Sequence, residues 1–353
     1  MFKGVSRWFF AIFFVFSCIT LSAKDSYGEC AAQLTNTDVD DYVACQGCCL
    51  TLDSVKKIFN EKKKAVVRVI RLSSDKPGND TEKDGVYFST ANGFFVSNEA
   101  YVVSVASIVR NAQKIWVDYM GTSYMAECVG VDDSTNVAVL RLLQSPTNFV
   151  SIDLNEGDRS NLTEIGSFVV FVGCKMDMDP APDIGLISGK NVSYWDNSFL
   201  TTYLRTNFDL AGGGSGAPVF EFDGKLSGMT IAYLPDIRSS FVLPKKALAR
   251  VFNSIIKNGH VDHASLGIEV RAECKFNSCQ EMVISKVIPG STAELAGMKV
   301  GDILKKIDDT PISYKEDILN ALFFHEMKDD VNVEFVRDGD TSVLSVKPEK
   351  YAE

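Results

Sequence analysis

The stretch AGGGSGAPVF, residues 211–220, sets Ser215 among glycines at the start of an apolar run. Glycine has no Cβ, so such a loop can turn sharply and bring a hydroxyl close to another backbone. A serine hydroxyl is a poor nucleophile at neutral pH unless an adjacent base takes its proton and a third group orients that base. The stretch therefore raises two questions: which fold presents Ser215, and whether the chain supplies a base.

The sequence around this stretch is typical of a β-rich domain. Short β runs recur between turn residues, which predicts a barrel or a sandwich. The clearest runs are 65–70, 93–96, 101–103, 114–117, 137–140 and 168–172. A helix is predicted over 54–64, and apolar residues at 248, 251, 252, 255 and 256 predict an amphipathic helix over 245–258 that ends at Gly259.

A second, smaller unit follows a linker at 260–264. Its pattern mixes short strands with two helices, which predicts an α+β unit. The strands are expected at 266–270, 282–284, 331–336 and 342–346, and the helices at 293–296 and 314–325.

The N-terminus has the order of a secretory signal. Lys3 and Arg7 precede an apolar run from Trp8 to Leu21, and small residues end it. Segment 1–23 is therefore predicted to direct export, with an uncleaved membrane anchor as the alternative. The chain has 353 residues and a formal net charge of -10, which disfavours nucleic acid as a partner.

The chain has nine cysteines, which fit an oxidising compartment. Outside the leader they are Cys30, Cys45, Cys48, Cys49, Cys128, Cys174, Cys274 and Cys279. Disulfides are expected, although the sequence does not fix their pairing. Zinc binding by Cys45, Cys48 and Cys49 is the alternative, but no histidine lies nearby. We therefore expect neither a metal nor a cofactor.

Six segments, in order, resemble the trypsin-like domain of the HtrA (DegP, Do-like) proteases. They are 91–96, 101–109, 131–140, 171–173 with 184–189, 205–220 and 223–228. The second is similar to the family segment that carries the catalytic histidine, the third to the aspartate segment and the fifth to the serine segment. Thr230–Ala232 and Ser239–Leu243 resemble the strands that pair with substrate. The resemblance implies a trypsin-like double β-barrel.

The second unit resembles the PDZ domain that follows the protease in this family. Leu266, Gly267 and Ile268 match its carboxylate-binding loop, and the runs 289–293 and 296–302 match its most specific part. The resemblance implies a groove for a peptide's C-terminal carboxylate and a strand edge for the peptide backbone. The groove helix is expected to contribute Ile318, Leu319 and Leu322, for which plain core packing is the alternative.

The catalytic pattern of the family is incomplete in this chain. By the resemblance, Ser215 has the nucleophile position, Ser107 the histidine position and Asn136 the aspartate position. No histidine precedes residue 260, so no alignment can supply one to the barrels. Asparagine is neutral and cannot stabilise an imidazolium ion.

The three histidines of the chain all follow the barrel region. His260 and His263 lie in the linker, where we expect both to be exposed to solvent. His325 lies at the end of the PDZ helix, where we expect it to contribute to capping or to touch a ligand.

The surroundings of the serine also depart from the family pattern. Gly213 and Ser215 have the positions of the family's oxyanion-hole N–H donors, but Gly214 replaces an asparagine and Ala217 a glycine. Three consecutive glycines are expected to leave the loop loose or collapsed. Ser215 is then better explained as a small residue in a tight turn.

A lysine base, as in Ser-Lys hydrolases, is the one catalytic alternative. Lys190 and Lys225 lie in the barrel region, but no spacing points to either. This alternative would make the chain an active serine endopeptidase that uses Ser215 with a non-histidine base.

Together these observations predict a mostly β chain in four parts: a signal peptide at 1–23, a cysteine-rich extension at 24–53, a trypsin-like domain at 54–259 and a PDZ domain at 260–353. We expect a periplasmic or secreted pseudoprotease that binds peptides or unfolded proteins as a chaperone, sensor or adaptor. Family resemblance implies a trimer or a hetero-oligomer with an active relative. A structural surface protein that binds through residues 24–52 is a third hypothesis.

Overall fold

The computed structural model describes residues 52–73, 87–156, 162–176, 178–194, 197–210, 212–273 and 281–351. The predicted leader, most of the cysteine-rich extension and every cysteine other than Cys128 and Cys174 lie outside these residues. Within the described ranges, no helix is both long and apolar enough to cross a membrane.

The first six strands close into a β-barrel. They are β1 (Val66–Ser73), β2 (Tyr87–Phe95), β3 (Tyr101–Val105), β4 (Lys114–Tyr119), β5 (Thr122–Asp132) and β6 (Val137–Leu142). Neighbours are antiparallel, in the order β1-β2-β3-β6-β5-β4. The β-branched and aromatic side chains that marked the runs in the sequence form the core, where Val69, Phe94, Val102 and Val139 are fully buried.

The next six strands close into a second barrel. They are β7 (Phe168–Gly173), β8 (Ala181–Tyr194), β9 (Asn197–Thr206), β10 (Pro218–Glu221), β11 (Leu226–Leu234) and β12 (Ser239–Pro244). Their order is β10-β11-β12-β9-β8-β7. Val169, Ile187, Leu204 and Val219 are buried in its core. The two closed barrels confirm the double β-barrel that the sequence predicts.

Three helices accompany the barrels: α1 (Leu52–Lys62), α2 (Ala106–Val109) and α3 (Lys245–Asn258). Helix α3 has the predicted bounds. It begins after Pro244 and ends at Gly259, whose φ of 80° is a left-handed conformation that glycine adopts without strain. Its apolar face packs closely against β5. A Cβ added at Gly130 of β5 would lie only 2.8 Å from the Ile255 side chain.

The remaining chain forms an α+β unit. Its strands are β13 (Ala264–Ser265), β14 (Ile268–Glu273), β15 (Glu281–Val287), β16 (Ile303–Ile307), β17 (Thr310–Pro311), β18 (Val331–Arg337), β19 (Asp340–Val346) and β20 (Glu349–Lys350), and its helices α4 (Thr292–Leu295) and α5 (Lys315–Phe324). The main sheet has the order β14-β15-β16-β18-β19. This unit is the PDZ fold implied by the sequence.

Helix α5 packs against the second barrel. The Asn320 side chain accepts a hydrogen bond from the Thr202 backbone N–H at 3.0 Å and donates one to the Thr202 hydroxyl at 2.8 Å. Phe323 is 2% exposed and belongs to the hydrophobic cluster of the barrels. The guanidinium of Arg250 on α3 lies 4.6 Å from the centre of the Phe323 ring. The PDZ unit is therefore held on the barrels by both polar and aromatic contacts.

Candidate functional site

The loop that carries Ser215 is fixed by Asn92 of β2. The Asn92 backbone N–H donates to the Ser215 carbonyl at 2.8 Å, and its side-chain amide donates to the Gly213 carbonyl at 2.8 Å. The same side chain accepts a hydrogen bond from the Cys174 backbone N–H at 2.6 Å and donates to the Cys174 carbonyl at 2.9 Å. Asn92 is completely buried, so one asparagine joins the first barrel to two segments of the second.

Thr230 of β11 fixes the other side of the loop. Its hydroxyl donates to the Gly214 carbonyl at 2.8 Å and accepts from the Ala217 backbone N–H at 2.9 Å. Its carbonyl accepts from the Gly216 backbone N–H at 2.7 Å. The loop was expected to be loose or collapsed. It is not loose, because Asn92 and Thr230 form hydrogen bonds with its backbone groups.

The bonds to the loop carbonyls also orient two backbone N–H groups. A trans peptide points its N–H opposite to its carbonyl. The Gly212 carbonyl accepts from the Met176 backbone N–H at 2.6 Å, and the Gly214 carbonyl is held by Thr230. The N–H group of Gly213 therefore points away from Met176, and that of Ser215 points away from the Thr230 hydroxyl.

Among the described glycines of the loop, Gly216 leaves the least room for a Cβ. Gly216 has a φ of +88°, and a Cβ there would lie 2.0 Å from the Asn92 carbonyl oxygen. The glycine thus permits the close approach of the loop to β2 that the Asn92 hydrogen bonds require.

The structure brings the histidine and aspartate positions together. The Ser107 backbone N–H, in α2, donates to Asn136 Oδ1 at 2.9 Å. The Asn136 Nδ2 donates to the Ile231 carbonyl at 3.2 Å, and Ile231 follows Thr230, which fixes the serine loop. The residues at the three predicted triad positions therefore lie near this part of β11. Ser107 is exposed, and its backbone N–H contacts the Asn136 side chain.

His263 is buried, so its expected exposure is wrong. Its Nε2 lies 2.9 Å from Asp132 Oδ1, and its ring stacks on Phe323 with 5.4 Å between ring centres. Asp132 ends β5 and also accepts a hydrogen bond from the Thr135 hydroxyl at 2.5 Å. The short linker places His263 between the first barrel and α5, where its partner is a carboxylate and not the Ser215 loop.

The other two histidines behave as expected. His260 is exposed, with 57% of its side chain accessible. His325 follows the last residue of α5, and its backbone N–H donates to the Leu322 carbonyl at 3.2 Å. Its ring pairs with Asp308 at 3.1 Å. His325 therefore caps the helix.

The surroundings of Lys190 and Lys225 do not support either residue as the base for Ser215. Lys190 is exposed on β8. Lys225 lies 2.5 Å from Asp223, and this hydrogen bond, with the charge of the carboxylate, raises the pKa of the lysine. A general base at neutral pH needs the opposite change, a pKa lowered toward 7.

Five of the six residues predicted for peptide binding border one cavity of about 400 Å³, and the sixth, Gly267, is not among its lining residues. Leu266 and Ile268 border it from the loop and β14, and Ile318, Leu319 and Leu322 border it from α5. Ile318 and Leu322 are also nearly buried in the PDZ core, so the groove and the core share them. Strand β14 is an edge of the sheet among the described strands. Leu200 of β9 reaches the same cavity.

The loop that is predicted to bind a carboxylate has a conformation that glycine permits. Gly267 has a φ of +73°, and a Cβ there would lie 2.3 Å from the Ser291 Cβ. Its backbone N–H donates to the Ser265 hydroxyl at 3.1 Å. A ligand carboxylate at this loop would have to displace that local hydroxyl to use the Gly267 N–H.

The two cysteines in the described residues are free thiols. This differs from the expectation that cysteines outside the leader form disulfides. Cys174 is buried and its backbone is held by Asn92, whereas Cys128 is exposed on β5. Among the described side chains, no group of three or more His, Cys, Asp or Glu residues could hold a metal ion.

Sequence reasoning missed Asn92, Thr230 and Asp132. All three lie in segments that resemble the HtrA family, but the resemblance assigns no role to their side chains. Nothing in the spacing of the sequence pairs Asp132 with His263, because 131 residues separate them.

Two family models match the chain. One, described as a trypsin-like peptidase domain, matches residues 91–229, and the other, described as a PDZ domain, matches residues 264–347. The two matches follow the order of the barrels and the PDZ unit.

Curated relatives match at low identity. A probable periplasmic serine endoprotease, DegP-like, from Chlamydia trachomatis is 25% identical over 266 residues, which are 72% of this chain and 52% of the relative. The periplasmic serine endoprotease DegP of Escherichia coli is 25% identical over 249 residues, 67% of this chain and 52% of that protein. The chain thus spans about half the length of these relatives.

Solved structures share the fold. The HtrA-type protease AlgW with a tripeptide superposes with a TM-score of 0.71 at 20% identity, covering 85% of this chain and 98% of that one. A serine endoprotease from Yersinia pestis gives a TM-score of 0.61 at 20% identity, covering 84% and 98% of the two chains. At this identity the likeness concerns the fold.

Proposed function

We propose that this chain, HtrA/DegP-like in its trypsin-like domain and following PDZ domain, is an exported pseudoprotease that binds peptides or unfolded proteins. The observation that carries the proposal is the contact between Ser107 and Asn136. The position opposite Asn136 presents a backbone N–H and a serine side chain where the family has an imidazole. Binding, as a chaperone, sensor or adaptor, is the activity that the remaining features support.

The size of the catalytic defect supports the proposal. Loss of a triad residue such as the base typically costs about a million-fold in turnover, and what remains is about 10³–10⁴ over water. The chain has no histidine before residue 260, and His263 is engaged by Asp132. The raised pKa of Lys225 also counts against the rival hypothesis, a serine endopeptidase with a lysine base.

The PDZ groove supports the binding role. Its cavity of about 400 Å³ has an apolar lining from β14 and α5, and an edge strand lies beside it. Added-strand recognition needs such an edge for the peptide backbone and pockets for alternate side chains. We propose that a C-terminal carboxylate binds at Leu266, Gly267 and Ile268.

The predicted leader and the names of the relatives support an exported location for the protein. The apolar segment that precedes residue 24 has signal-peptide order, and curated relatives are named periplasmic. We propose a periplasmic or secreted location, with membrane anchoring if the leader is not cleaved. By the family resemblance, we propose a trimer or a hetero-oligomer with an active relative.

Casein degradation tests the catalytic part. Three proteins are compared: the mature protein, Ser215→Ala, and Ser107→His with Asn136→Asp. We expect no cleavage by the first two. Cleavage by the mature protein that Ser215→Ala abolishes would show an active endopeptidase and overturn the proposal. Cleavage by the double variant alone would locate the defect in the two replaced positions.

Peptide titration tests the proposed binding role of the PDZ groove. A labelled peptide with an apolar C-terminal residue is titrated in anisotropy measurements, against the same peptide with an amidated terminus. Leu319→Lys should weaken binding by about 30-fold, the loss typical of a central contact. Val343→Lys is the matched control, because Val343 is 59% exposed on β19. Equal binding of both peptides to all variants would exclude the groove as the site that binds the peptide's C-terminus.

A further inference from the structure

Asn136 joins the two barrels with both ends of its side-chain amide. It lies in the turn between β5 and β6, with a φ of +57°. Its Oδ1 accepts from the Ser107 N–H at 2.9 Å, and its Nδ2 donates to the Ile231 carbonyl at 3.2 Å. Ser107 belongs to the first barrel and Ile231, 6% exposed, to the second. One side chain thus spans the cleft between them.

Only a group with an acceptor at one end and a donor at the other satisfies both contacts. An ionised carboxylate is acceptor-only. At position 136 it would keep the Ser107 bond but set a charged oxygen 3.2 Å from the Ile231 carbonyl oxygen. Asn136 is half-buried and Ile231 is buried, so an acceptor that faces the Ile231 carbonyl loses its hydrogen bond and is repelled. The position therefore fits asparagine and disfavours the aspartate that catalysis would need.

We propose that Asn136 is a positioning residue, an amide clamp that holds α2 and the β5–β6 turn against β11. The clamp also occupies a main-chain acceptor, the Ile231 carbonyl, on a strand that resembles the substrate-pairing strand of the family. Ile231 directly follows Thr230, whose hydroxyl donates a hydrogen bond to the Gly214 carbonyl in the Ser215 loop. The proposal does not depend on the proposed function, because it concerns the packing of the barrels and not turnover.

The clamp predicts a stability defect that reverses with pH. Asn136→Asp at pH 7 should lower the unfolding temperature by about 4 °C, the shift expected when one part-buried hydrogen bond is lost in a chain of this size. As the pH falls toward about 4, the ordinary range for aspartate, protonation restores an O–H donor for Ile231. The difference from the wild type should then shrink to about 1 °C.

Two further variants make the test specific. Asn136→Gly removes the amide but tolerates the left-handed backbone, so it should show a similar deficit that does not change with pH. Asn111→Asp is the matched control, because Asn111 is exposed and has a φ of 54°. It should unfold within about 1 °C of the wild type throughout.

The stability of the Asn136 variants at pH 7 and at low pH decides whether the clamp exists. A deficit of Asn136→Asp that narrows on acidification, with a pH-independent deficit of Asn136→Gly, supports the clamp. Wild-type stability of either variant at pH 7, or an Asp deficit that persists at low pH, overturns it. If Asn136→Asp does not fold at pH 7, recovery of folded protein near pH 4.5 supports the clamp and failure to recover overturns it.

Discussion

His263 Nε2 lies 2.9 Å from Asp132 Oδ1, with both side chains less than one-tenth exposed. Asp132 ends a strand of the first barrel, and His263 precedes the first strand of the PDZ unit. The imidazole also stacks on Phe323 of α5. A residue of the linker therefore connects the first barrel to α5, the helix that borders the cavity of the PDZ unit.

Replacement of His263 by phenylalanine should destabilise the protein. The ring can still stack on Phe323, but the Asp132 carboxylate loses its imidazole partner in a buried site. We expect the free energy of unfolding to fall by about 2–3 kcal/mol, as for a hydrogen bond to a buried charge. Chemical denaturation measures the change. His260→Phe, at the exposed linker histidine, should change it by less than about 0.5 kcal/mol. Equal effects of the two variants would contradict the role of the buried pair.

Gly216→Ala should disturb the serine loop. The added Cβ would lie 2.0 Å from the Asn92 carbonyl oxygen at a φ of +88°. The loop must then move away from β2 and strain its bonds to Asn92, at a cost of about 1–3 kcal/mol. Thermal unfolding measures the loss. Gly224→Ala is the control, because its φ is similar but no atom lies within 4 Å of the added Cβ. A loss no larger than that of the control would mean that the close approach is not required.

Arg337→Met should unfold the PDZ unit more readily. Asp302 is 1% exposed and accepts hydrogen bonds from Arg337 Nε at 2.6 Å and Nη2 at 2.7 Å. Removal of the guanidinium leaves a buried unpaired carboxylate, which costs about 3–5 kcal/mol. The comparison is with Arg271→Met, at the exposed pair with Glu273, where the cost should be below about 1 kcal/mol. Similar midpoints in urea for the two variants would be inconsistent with this difference.

The two described thiols should react at different rates. Burial raises the pKa of the Cys174 thiol, and partial desolvation raises that of Cys128 although the residue is exposed, so each is mostly protonated at pH 7. Because the thiolate is the reactive form, alkylation of Cys128 should accelerate about tenfold from pH 7 to pH 8. Cys174 is 4% exposed and should be labelled only after unfolding. Peptide mapping by mass spectrometry after iodoacetamide treatment gives both rates, and early labelling of Cys174 would contradict its burial.

Much of the fold could be predicted from the sequence because it depends on local patterns. The period of apolar residues and Gly259 predicted helix α3. The alternation of β runs with turn residues predicted a barrel or a sandwich, and the resemblance to HtrA proteases implied the double barrel. Leu266, Ile268, Ile318, Leu319 and Leu322 were also predicted to meet, and all five border one cavity. The resemblance to a PDZ domain supplied that long-range information, which spacing alone does not contain.

The candidate site was predicted less completely. Ser107 and Asn136 were assigned by resemblance to the histidine and aspartate positions, and the Ser107 backbone N–H contacts the Asn136 side chain. The loop of Ser215 was expected to be loose, because the sequence shows its glycines but not the side chains that bind its carbonyls. Asn92 and Thr230, which do so, lie 123 residues before and 15 residues after Ser215 in the chain.

The sequence by itself determined the fold class and the absence of a histidine from the barrels, since composition and local periodicity are properties of the chain alone. Only the tertiary structure decided that His263 pairs with Asp132, that Asn92 holds the serine loop and that Asn136 spans the two barrels. These contacts join residues far apart in sequence. They arise when packed strands bring polar groups into a dry interior, where each must find a partner that the local sequence does not specify.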